Sequence, residues 1–328
     1  MTRALFVVDA GPSVGFGHFR RCSFLLREFE ARGIECRVVV PPEASLAGLW
    51  EGLAGIWPDD LSQTDEADIL VADSYRIGLE TMRGWRRRHA LRLMIDDNAD
   101  RPLDADVVLN HNIYAPDLDY ASVWGGTVLA GLDYCLVDPR FAGLRSQTKN
   151  NGLRVVVSFG GADTTHGVET ARAILRRMPE ARVDVIVPAM PDDAGEADDR
   201  LSLLVRPDMV ATMGRGAIYV GGAGVTTWEA AAAGLSIVVC RVADNQGHMI
   251  PALRRTGIQA FDTYDPEQMA AGVATEAAKP APGNPLAEVI DGRGATRAAD
   301  FVLGLAQRQG IPSRPEPHDT IPISKASQ

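Results

Sequence analysis

Short apolar runs alternate with helix-like stretches along the whole sequence, and the alternation starts afresh halfway. Six runs in the first half predict strands at residues 4–8, 36–40, 69–72, 91–95, 107–109 and 128–130. Five runs in the second half predict strands at 153–157, 183–187, 201–205, 217–220 and 236–240. Helical patterns are visible at 19–32, 79–88, 168–177, 226–233 and 248–256. Continuous apolar strands separated by helices are typical of a parallel sheet covered on both faces.

The restart of this pattern predicts two domains. The chain has 328 residues, which is more than one ordinary hydrophobic core needs. A polar stretch without apolar periodicity, residues 143–152, is the best candidate for a linker. We therefore predict an α/β protein of two doubly wound, Rossmann-like domains, residues 1–145 and 150–308, that face a central cleft. Residues 309–328 are rich in proline, serine and charge, which predicts a flexible tail.

Composition excludes several classes of partner. The formal net charge of −10 disfavours a nucleic-acid partner, because an acidic protein repels a phosphate backbone. No apolar run approaches the ~20 residues that a membrane-spanning helix needs. The first ten residues lack the pattern of a signal peptide, so we expect a cytoplasmic protein without a membrane partner. The four cysteines show no metal-ligand spacing and predict reduced, buried thiols.

A glycine-rich loop follows the first predicted strand. Gly11, Gly15 and Gly17 permit close approach of backbone to a ligand, at the strand end where open α/β sheets bind ligands. His18 falls near the N-terminus of the next helix, where the helix dipole favours the neutral imidazole that can accept a proton. This arrangement predicts a general base that activates water. A histidine that only caps the helix is the alternative.

Two glycine turns in the second half suggest a phosphate site. The more informative one begins at Gly221, after a strand, and runs directly into a helix. The unpaired N–H groups of a first helical turn can hold a diphosphate. The residues predicted to form this cradle are Gly222, Ala223, Gly224, Val225, Thr226 and Thr227. The other turn, Gly160-Gly161, lacks a full dinucleotide-binding motif, so a turn required by packing is equally compatible with it.

Two further polar groups in the second half are candidates for nucleotide contacts. Glu229 lies in the opening turn of the helix, where its carboxylate could accept hydrogen bonds from ribose hydroxyls. An ordinary partner of the helix dipole is the alternative. Asn245 and Gln246 follow another strand and could reach the sugar or the phosphates, although N-capping explains Asp244 and Asn245 as well.

Polar residues also end three predicted strands of the first half. They form the groups Asp73-Ser74-Tyr75, Asp96-Asp97 and Asn110-His111-Asn112. Polar side chains at successive strand ends predict one wall of a crevice. Neighbouring residues on a strand point to opposite faces, and no supporting ligand spacing appears near the two aspartates, so we predict no metal site.

Taken in order, these motifs resemble the PseG/SpsG family of UDP-sugar hydrolases, which is related to the GT-B glycosyltransferases, including MurG. The resemblance covers about residues 3–300 and rests on the segments GFGHFRRC, ADSY, IDDNADRP, VVLNHNIY, SFGGAD, GGAGVTTWEAAAAG, ADNQ and DGRGATR. It implies a GT-B fold whose first domain handles the sugar and whose second domain binds UDP. It also implies a reaction that needs no metal, and we expect a monomer without a cofactor.

The resemblance further implies a reaction and a set of roles. A UDP-linked 2,4-diacetamido-2,4,6-trideoxyhexose would be the substrate, cleaved at C1–O with inversion in pseudaminic acid biosynthesis. His18 looks like the general base, Glu229 like the ribose ligand, and the backbone at Met209 and Val210 like the contact with uracil. The residues assigned to the sugar side are Gly15, Gly17, Arg21, Asp73, Tyr75 and Asn110.

One segment departs from the family pattern. Where the family commonly has Leu-Leu-Arg, this chain has Leu136-Val137-Asp138, so an acid replaces a base, and Arg140 lies close enough in sequence to compensate. Two other functions remain compatible with the motifs. A GT-B glycosyltransferase would use the same donor site with an acceptor other than water, and a non-catalytic protein would only bind the nucleotide sugar.

Overall fold

The structure is a computed structural model that describes residues 2–11, 15–44, 54–146, 152–160, 165–191, 198–280 and 283–311. Seven parallel strands form the first sheet, namely β1 (Arg3–Val8), β2 (Glu35–Val40), β3 (Ala54–Ile56), β4 (Ala67–Asp73), β5 (His89–Ile95), β6 (Val107–Asn110) and β7 (Thr127–Ala130). Their order is β3-β2-β1-β4-β5-β6-β7, so the winding direction reverses between β1 and β4.

The second sheet repeats this arrangement with six parallel strands. They are β8 (Arg154–Ser158), β9 (Arg182–Val187), β10 (Leu201–Val205), β11 (Ile218–Gly222), β12 (Ser236–Cys240) and β13 (Gln259–Phe261). Their order is β10-β9-β8-β11-β12-β13, and the reversal lies between β8 and β11. Ligands of doubly wound sheets bind at such reversals, beyond the carboxyl ends of the strands.

Ten helices of the described residues connect and cover the two sheets. They are α1 (Gly17–Ala31), α2 (Leu79–Trp85), α3 (Tyr120–Val123), α4 (Pro139–Ala142), α5 (Thr165–Arg177), α6 (Met209–Arg215), α7 (Val225–Ala232), α8 (Met249–Arg255), α9 (Pro266–Ala277) and α10 (Gly294–Arg308). The predicted fold class is confirmed. Among the described residues, no helix combines the length and apolarity needed to cross a membrane.

Burial explains why the central strands were readable in the sequence. The side chains of β1 from Ala4 to Val8 are all buried, because helices cover both faces of the sheet. Helix α1 contributes Phe29, whose ring meets Phe6 edge-on with centroids 5.7 Å apart. All four cysteines are buried and free, as the sequence indicated.

The last helix returns to the first unit. Residues of α10, including Ala298 and Val302, are fully buried in the same core as Phe6 and Phe29. At its start, a Cβ on Gly294 would lie 2.2 Å from the carbonyl oxygen of Cys135, so this close approach requires glycine. The sequence pattern had assigned residues 150–308 to the second domain, because periodicity shows that a helix is amphipathic and not which sheet it covers.

An earlier segment crosses in the other direction. After β7, the side chains of Leu132, Val137 and Phe141 pack in the core of the second unit, which includes Trp228 and Leu253. The chain therefore leaves the first unit before residue 145, where the sequence had predicted the domain boundary. Of the predicted linker, residues 143–146 form a short 3-10 turn, and 147–151 lie outside the described residues. Most of the predicted tail, residues 312–328, also lies outside them.

Candidate active site

One cleft lies between the two units, beyond the carboxyl ends of β1, β4, β5 and β6 in the first sheet and of β11 and β12 in the second. Its lining from the first unit includes Gly17, His18, Arg21, Tyr75, Asp97 and His111. Its lining from the second unit includes Gly224, Val225, Trp228, Asn245 and Gln246. The cleft therefore brings together residues from the glycine-rich loop before α1, from the turn at Gly221 and from the strand-end groups of the first half.

His18 is held by a carboxylate in the wall of this cleft. The residue lies in the first turn of α1 and is buried, while Asp73 is the last residue of β4. Nδ1 of His18 lies 2.6 Å from Oδ1 of Asp73, so the ring donates through Nδ1 and keeps Nε2 as the nitrogen available to a ligand. The ring of Tyr75 meets the imidazole edge-on, with centroids 4.9 Å apart, and helps to fix its plane.

Arg21 joins two buried carboxylates behind the histidine. Its Nε and Nη2 donate to Asp73 at 2.7 Å each, and its Nη1 and Nη2 donate to Asp97 at 2.8 and 2.9 Å. Burial alone would raise the pKa of both acids, but the guanidinium overcomes this effect. The pKa of Asp73 is held well below its usual range, and that of Asp97 falls to about 2.

Asp97 also collects neutral donors from two other strand ends. The hydroxyl of Tyr75 donates to Oδ2 at 2.5 Å, and the side-chain amide of Asn112 donates to Oδ1 at 2.7 Å. Asn112 in turn accepts a hydrogen bond at 3.3 Å from the indole N–H of Trp228, in the second unit. Asp97 thus links the polar wall of the first unit to the opposite side of the cleft.

Asn110 lies behind the cleft instead of lining it. The residue is fully buried, and its side-chain amide donates to the Asp97 carbonyl oxygen at 3.1 Å and to the Tyr120 hydroxyl at 2.9 Å. Gly15 has φ of +74° and exchanges backbone hydrogen bonds with Gly11, so it shapes the loop before α1. Gly17 reaches the second unit, where its Cβ position would lie 3.5 Å from Val225.

The glycine turn of the second unit is tightly packed on one side and open on the other. A Cβ on Gly221 would lie 1.9 Å from the carbonyl oxygen of Ser158, and one on Gly222 would lie 2.6 Å from Val242. Gly224, at the N-cap of α7, and the following Val225 line the cleft. The N–H of Thr227 donates to the Gly224 carbonyl oxygen at 2.9 Å, so the first turn of α7 offers the N–H groups of Val225 and Thr226 to an anion at this edge of the cleft.

Not every predicted contact of this turn is available to a ligand. Thr227 is fully buried, and its hydroxyl donates to the Gly222 carbonyl oxygen at 3.3 Å. Thr226 is half-buried, and Ala223 lines the cleft. Gln246 lines the cleft while its Oε1 accepts the Val242 N–H at 2.8 Å.

Glu229 is completely buried and bonded across the unit boundary. Its Oε1 accepts a hydrogen bond from Nε of Arg20, a residue of α1. Its Oε2 is buried and has no hydrogen-bond partner in the described part of the chain. Burial raises the pKa of Glu229, and this effect outweighs the opposite influence of the Arg20 charge.

Three of the remaining predicted nucleotide contacts, Gly160, Met209 and Val210, lie outside the cleft lining. The N–H of Val210 donates to Asp208 at 2.9 Å, and it is Asp208 that caps the helix beginning at Met209. Gly160 is exposed with φ of +98°, and Gly161 lies outside the described residues. Asn245 does reach the first unit, since its amide donates to the Tyr75 hydroxyl at 3.4 Å.

The segment that departs from the family pattern has a structural explanation. Leu136 and Val137 are fully buried, and Asp138 caps α4 by accepting the Arg140 N–H at 2.9 Å. The Arg140 side chain pairs with the same carboxylate at 2.7 Å. The exchange of a base for an acid thus creates a local cap and ion pair outside the cleft lining.

Several residues of the cleft lining or of the unit boundary had no assigned role in the sequence. Arg20 and Trp228 were missed, although both lie inside the two most informative motifs. Asp97, His111 and Asn112 were expected only to line a crevice. Their importance for the site depends on hydrogen-bond partners that follow other strands, and spacing in the sequence does not reveal such partners. In the described residues, no group of three or more His, Cys, Asp or Glu could hold a metal ion.

Two doubly wound units separated by a ligand-sized cleft define the GT-B fold. Acinetobacter baumannii MurG superposes with a TM-score of 0.62 at 13% identity, covering 93% of this chain and 100% of that one. The glycosyltransferase of kitacinnamycin gives 0.65 at 16% identity, with 95% and 99% covered. The calicheamicin glycosyltransferase CalG4 gives 0.64 at 14% identity, with 94% and 99% covered. These likenesses establish the fold.

The sequence is similar to one curated enzyme in particular. It is 22% identical over 176 residues to the UDP-2,4-diacetamido-2,4,6-trideoxy-beta-L-altropyranose hydrolase of Campylobacter jejuni subsp. jejuni. The match spans 49% of this chain and 61% of that protein. It confirms the resemblance drawn from the motifs. No protein-family model matches the chain.

Proposed function

We propose that this chain hydrolyses a UDP-linked 2,4-diacetamido-2,4,6-trideoxyhexose and releases UDP and the free sugar. The observation that carries the proposal is the position of the Asp73-bound His18 across one cleft from the N-terminus of α7. One side offers a base for water, and the other offers N–H groups for a departing phosphate. The similarity to the Campylobacter hydrolase supports the choice of reaction and sugar.

His18 acts as the general base in this proposal. Asp73 accepts the Nδ1–H hydrogen bond, orients the ring and stabilises the imidazolium that forms. Nε2 takes a proton from water while the water oxygen forms a bond to the anomeric carbon. The bond between that carbon and the phosphate oxygen breaks, and its electron pair leaves with UDP. Attack from the face opposite the leaving group gives inversion at the anomeric carbon.

The second unit stabilises the leaving group. Negative charge grows on the β-phosphate as the bond breaks, and the first-turn N–H groups of α7 are preorganised to receive it. Gly221 and Gly222 let the turn pack closely against Ser158 and Val242, so the cradle is rigid before the substrate arrives. We propose that these groups suffice without a metal ion, and that the free sugar enters pseudaminic acid biosynthesis.

Transfer of the sugar to an acceptor is the second candidate function, because the solved structures of this fold include glycosyltransferases. The test incubates the full chain with the UDP-sugar, in EDTA, without any acceptor. Stoichiometric UDP and free sugar, with NMR showing the inverted anomer first, support hydrolysis. Release of UDP only after an acceptor is added would assign the chain to the transferases, and release that requires Mg²⁺ would refute metal independence.

A further inference from the structure

Arg21 has one N–H group that its carboxylate partners do not use. The guanidinium carries five N–H groups. Four of them are directed at oxygens of Asp73 and Asp97, through Nε, Nη1 and both hydrogens of Nη2. The fifth, on Nη1, points to Nε2 of His111, 3.4 Å away. Whether Nε2 can accept this hydrogen bond therefore depends on which nitrogen of His111 carries the hydrogen.

A backbone group fixes that protonation. The N–H of Leu136 lies 3.1 Å from Nδ1 of His111, and because a backbone N–H can only donate, this nitrogen is the acceptor. The neutral ring must then carry its hydrogen on Nε2. Two donors, on Arg21 and His111, consequently face each other in the wall of the cleft. Neither can satisfy the other.

We propose that Nη1–H of Arg21 and Nε2–H of His111 together bind a single carbonyl oxygen of the sugar, that of an acetamido group. This assignment rests on the proposed function, because it names the part of the substrate that the first unit recognises. It makes His111 a specificity-determining residue. An oxygen between the two nitrogens satisfies both donors, which the protein alone leaves without an acceptor in the described residues.

The charge around the pair selects an uncharged ligand group. Arg21 carries one positive charge and contacts two carboxylates, Asp73 and Asp97, both of which stay ionised because the guanidinium holds their pKa values low despite burial. Burial and the nearby Arg21 charge lower the pKa of His111 to about 3, so its ring is neutral. The cluster thus disfavours a phosphate oxygen, whereas a polar uncharged oxygen incurs no repulsion.

A carbonyl fits two donors better than a hydroxyl does. A carbonyl oxygen has two lone pairs and no hydrogen, so it accepts from both nitrogens and leaves nothing unpaired. A hydroxyl would bring a hydrogen that needs its own acceptor in a wall that is almost closed to water, since His111 is 1% exposed. Unmatched polar groups in such a place are costly, and this cost gives discrimination.

The test pairs two variants with two substrates. His111→Phe keeps a ring and removes both nitrogens, whereas His111→Gln offers an oxygen for Leu136 and an N–H for the ligand. With the diacetamido sugar, we expect His111→Phe to lower kcat/KM by about 10- to 100-fold and His111→Gln by less than about fivefold. With analogues in which one acetamido group at a time is a hydroxyl, one analogue should show almost no difference between wild type and His111→Phe.

Equal losses with every sugar would overturn the proposal, because His111 would then have only a structural role. A measurement on the wild-type protein tests the proposal even if a His111 variant fails to fold. In ¹⁵N NMR, the His111 ring should show an Nε2–H tautomer, and its signal should shift with the diacetamido UDP-sugar and not with the matching hydroxyl analogue. An Nδ1–H tautomer, or equal shifts, would contradict the subsite.

The proposed function and this subsite fail in different ways. If the wild-type chain releases no UDP without an acceptor, hydrolysis is wrong, and the subsite is then judged by calorimetric binding of the UDP-sugars to wild type and His111→Phe. Affinity that falls about tenfold for the diacetamido sugar alone supports it. Affinity that is unchanged for every sugar refutes it.

Discussion

Arg20 of the first unit donates a hydrogen bond to the buried carboxylate of Glu229 in the second, although the two residues lie 209 positions apart. The Glu229 side chain is 0% exposed and that of Arg20 is 40% exposed, so the pair lies at the edge of the unit boundary. Only one carboxylate oxygen is used, since Oε2 has no partner in the described residues. Oε2 is the oxygen left for the expected ribose contact, but Glu229 is not among the residues that line the cleft, so this contact requires Oε2 to become accessible.

The unpaired oxygen makes Glu229 sensitive to the loss of its charge. We expect Glu229→Gln to weaken UDP binding by about tenfold, because a hydrogen bond from a ribose hydroxyl to a neutral amide is weaker than one to a carboxylate. Titration calorimetry with UDP measures the change. Glu288→Gln, at an exposed position of the second unit, serves as the control and should bind like wild type. If Glu229→Gln and Glu288→Gln bound UDP with equal affinity, Glu229 would not be a ligand of the nucleotide.

The carboxyl group of Glu229 should also make the stability of the protein depend on pH. Burial raises the pKa of Glu229 in the folded chain above the ordinary value of about 4.3. The stability from such a group is present below the unfolded pKa and is lost as pH rises through the folded pKa. We therefore expect the free energy of unfolding of Glu229→Gln, relative to wild type, to increase above about pH 4. Urea denaturation at several pH values checks this, and parallel curves would contradict it.

His18 and Asp73 should act as one unit. Because Asp73 orients the ring and the ring takes the proton, we expect His18→Ala and Asp73→Asn each to lower kcat by about 100-fold or more. The double variant should lose little beyond either single one. Steady-state assays give kcat, and calorimetry should show little change in UDP affinity for His18→Ala. Asp68→Asn, near the other end of β4, is the matched control; multiplicative losses would argue against a shared role.

Acid stability provides a test of the buried carboxylate cluster. The pKa of Asp97 falls from about 3.9 in an unfolded chain to about 2, because Arg21 outweighs burial. A carboxyl with a lowered pKa contributes stability above the unfolded value, and this contribution is lost as pH falls through the folded value. Between about pH 4 and pH 2, wild type should lose on the order of 2 kcal/mol more than Asp97→Asn does.

Chemical denaturation across this range measures the loss of stability. Asp100→Asn, an exposed neighbour of Asp97, should follow the wild-type curve. An Asp97→Asn protein with the same acid dependence as wild type would show that the cluster is not ionised as described.

The two sides of the glycine turn should respond differently to a methyl group. Gly221→Ala would press its Cβ against the Ser158 carbonyl oxygen, and we expect a loss of about 2–3 kcal/mol or more in the free energy of unfolding. Gly224→Ala meets nothing nearer than Gln246, 3.8 Å away, and should cost about 1 kcal/mol or less through the weaker N-cap. Urea denaturation compares the two variants, and equal losses would contradict this packing.

The sequence predicts those parts of the fold that depend on local pattern. Strands β1, β4 and β5 were visible because both of their faces are buried, whereas β3 and β13 were missed because three residues at a sheet edge show no pattern. The assignment of α10 failed for another reason. Its apolar face is clear from the sequence, but the choice between two sheets is made by contacts with α1, hundreds of residues earlier.

For the candidate site, too, the sequence predicts what depends on local pattern and not what depends on how distant segments meet. His18, Tyr75, Gly224 and Asn245 come from motifs whose chemistry is local, and the structure brings them to one cleft. Pairings across the unit boundary, such as Arg20 with Glu229, were invisible because they depend on how the units meet. Asn110 illustrates the opposite error, since a polar residue at a strand end can equally bond the neighbouring loops from within.

The return of α10 to the first unit means that the polypeptide passes between the halves twice, once in each direction. One nick in the segment around residue 147 would leave the halves tethered, so neither can be obtained by cutting there. A fragment ending before Gly294 would bare the apolar side of α1 that α10 covers. The two crossings lie side by side, since a Cβ on Gly292 would lie 2.8 Å from the Cα of Pro139, so both connections between the halves run through one place.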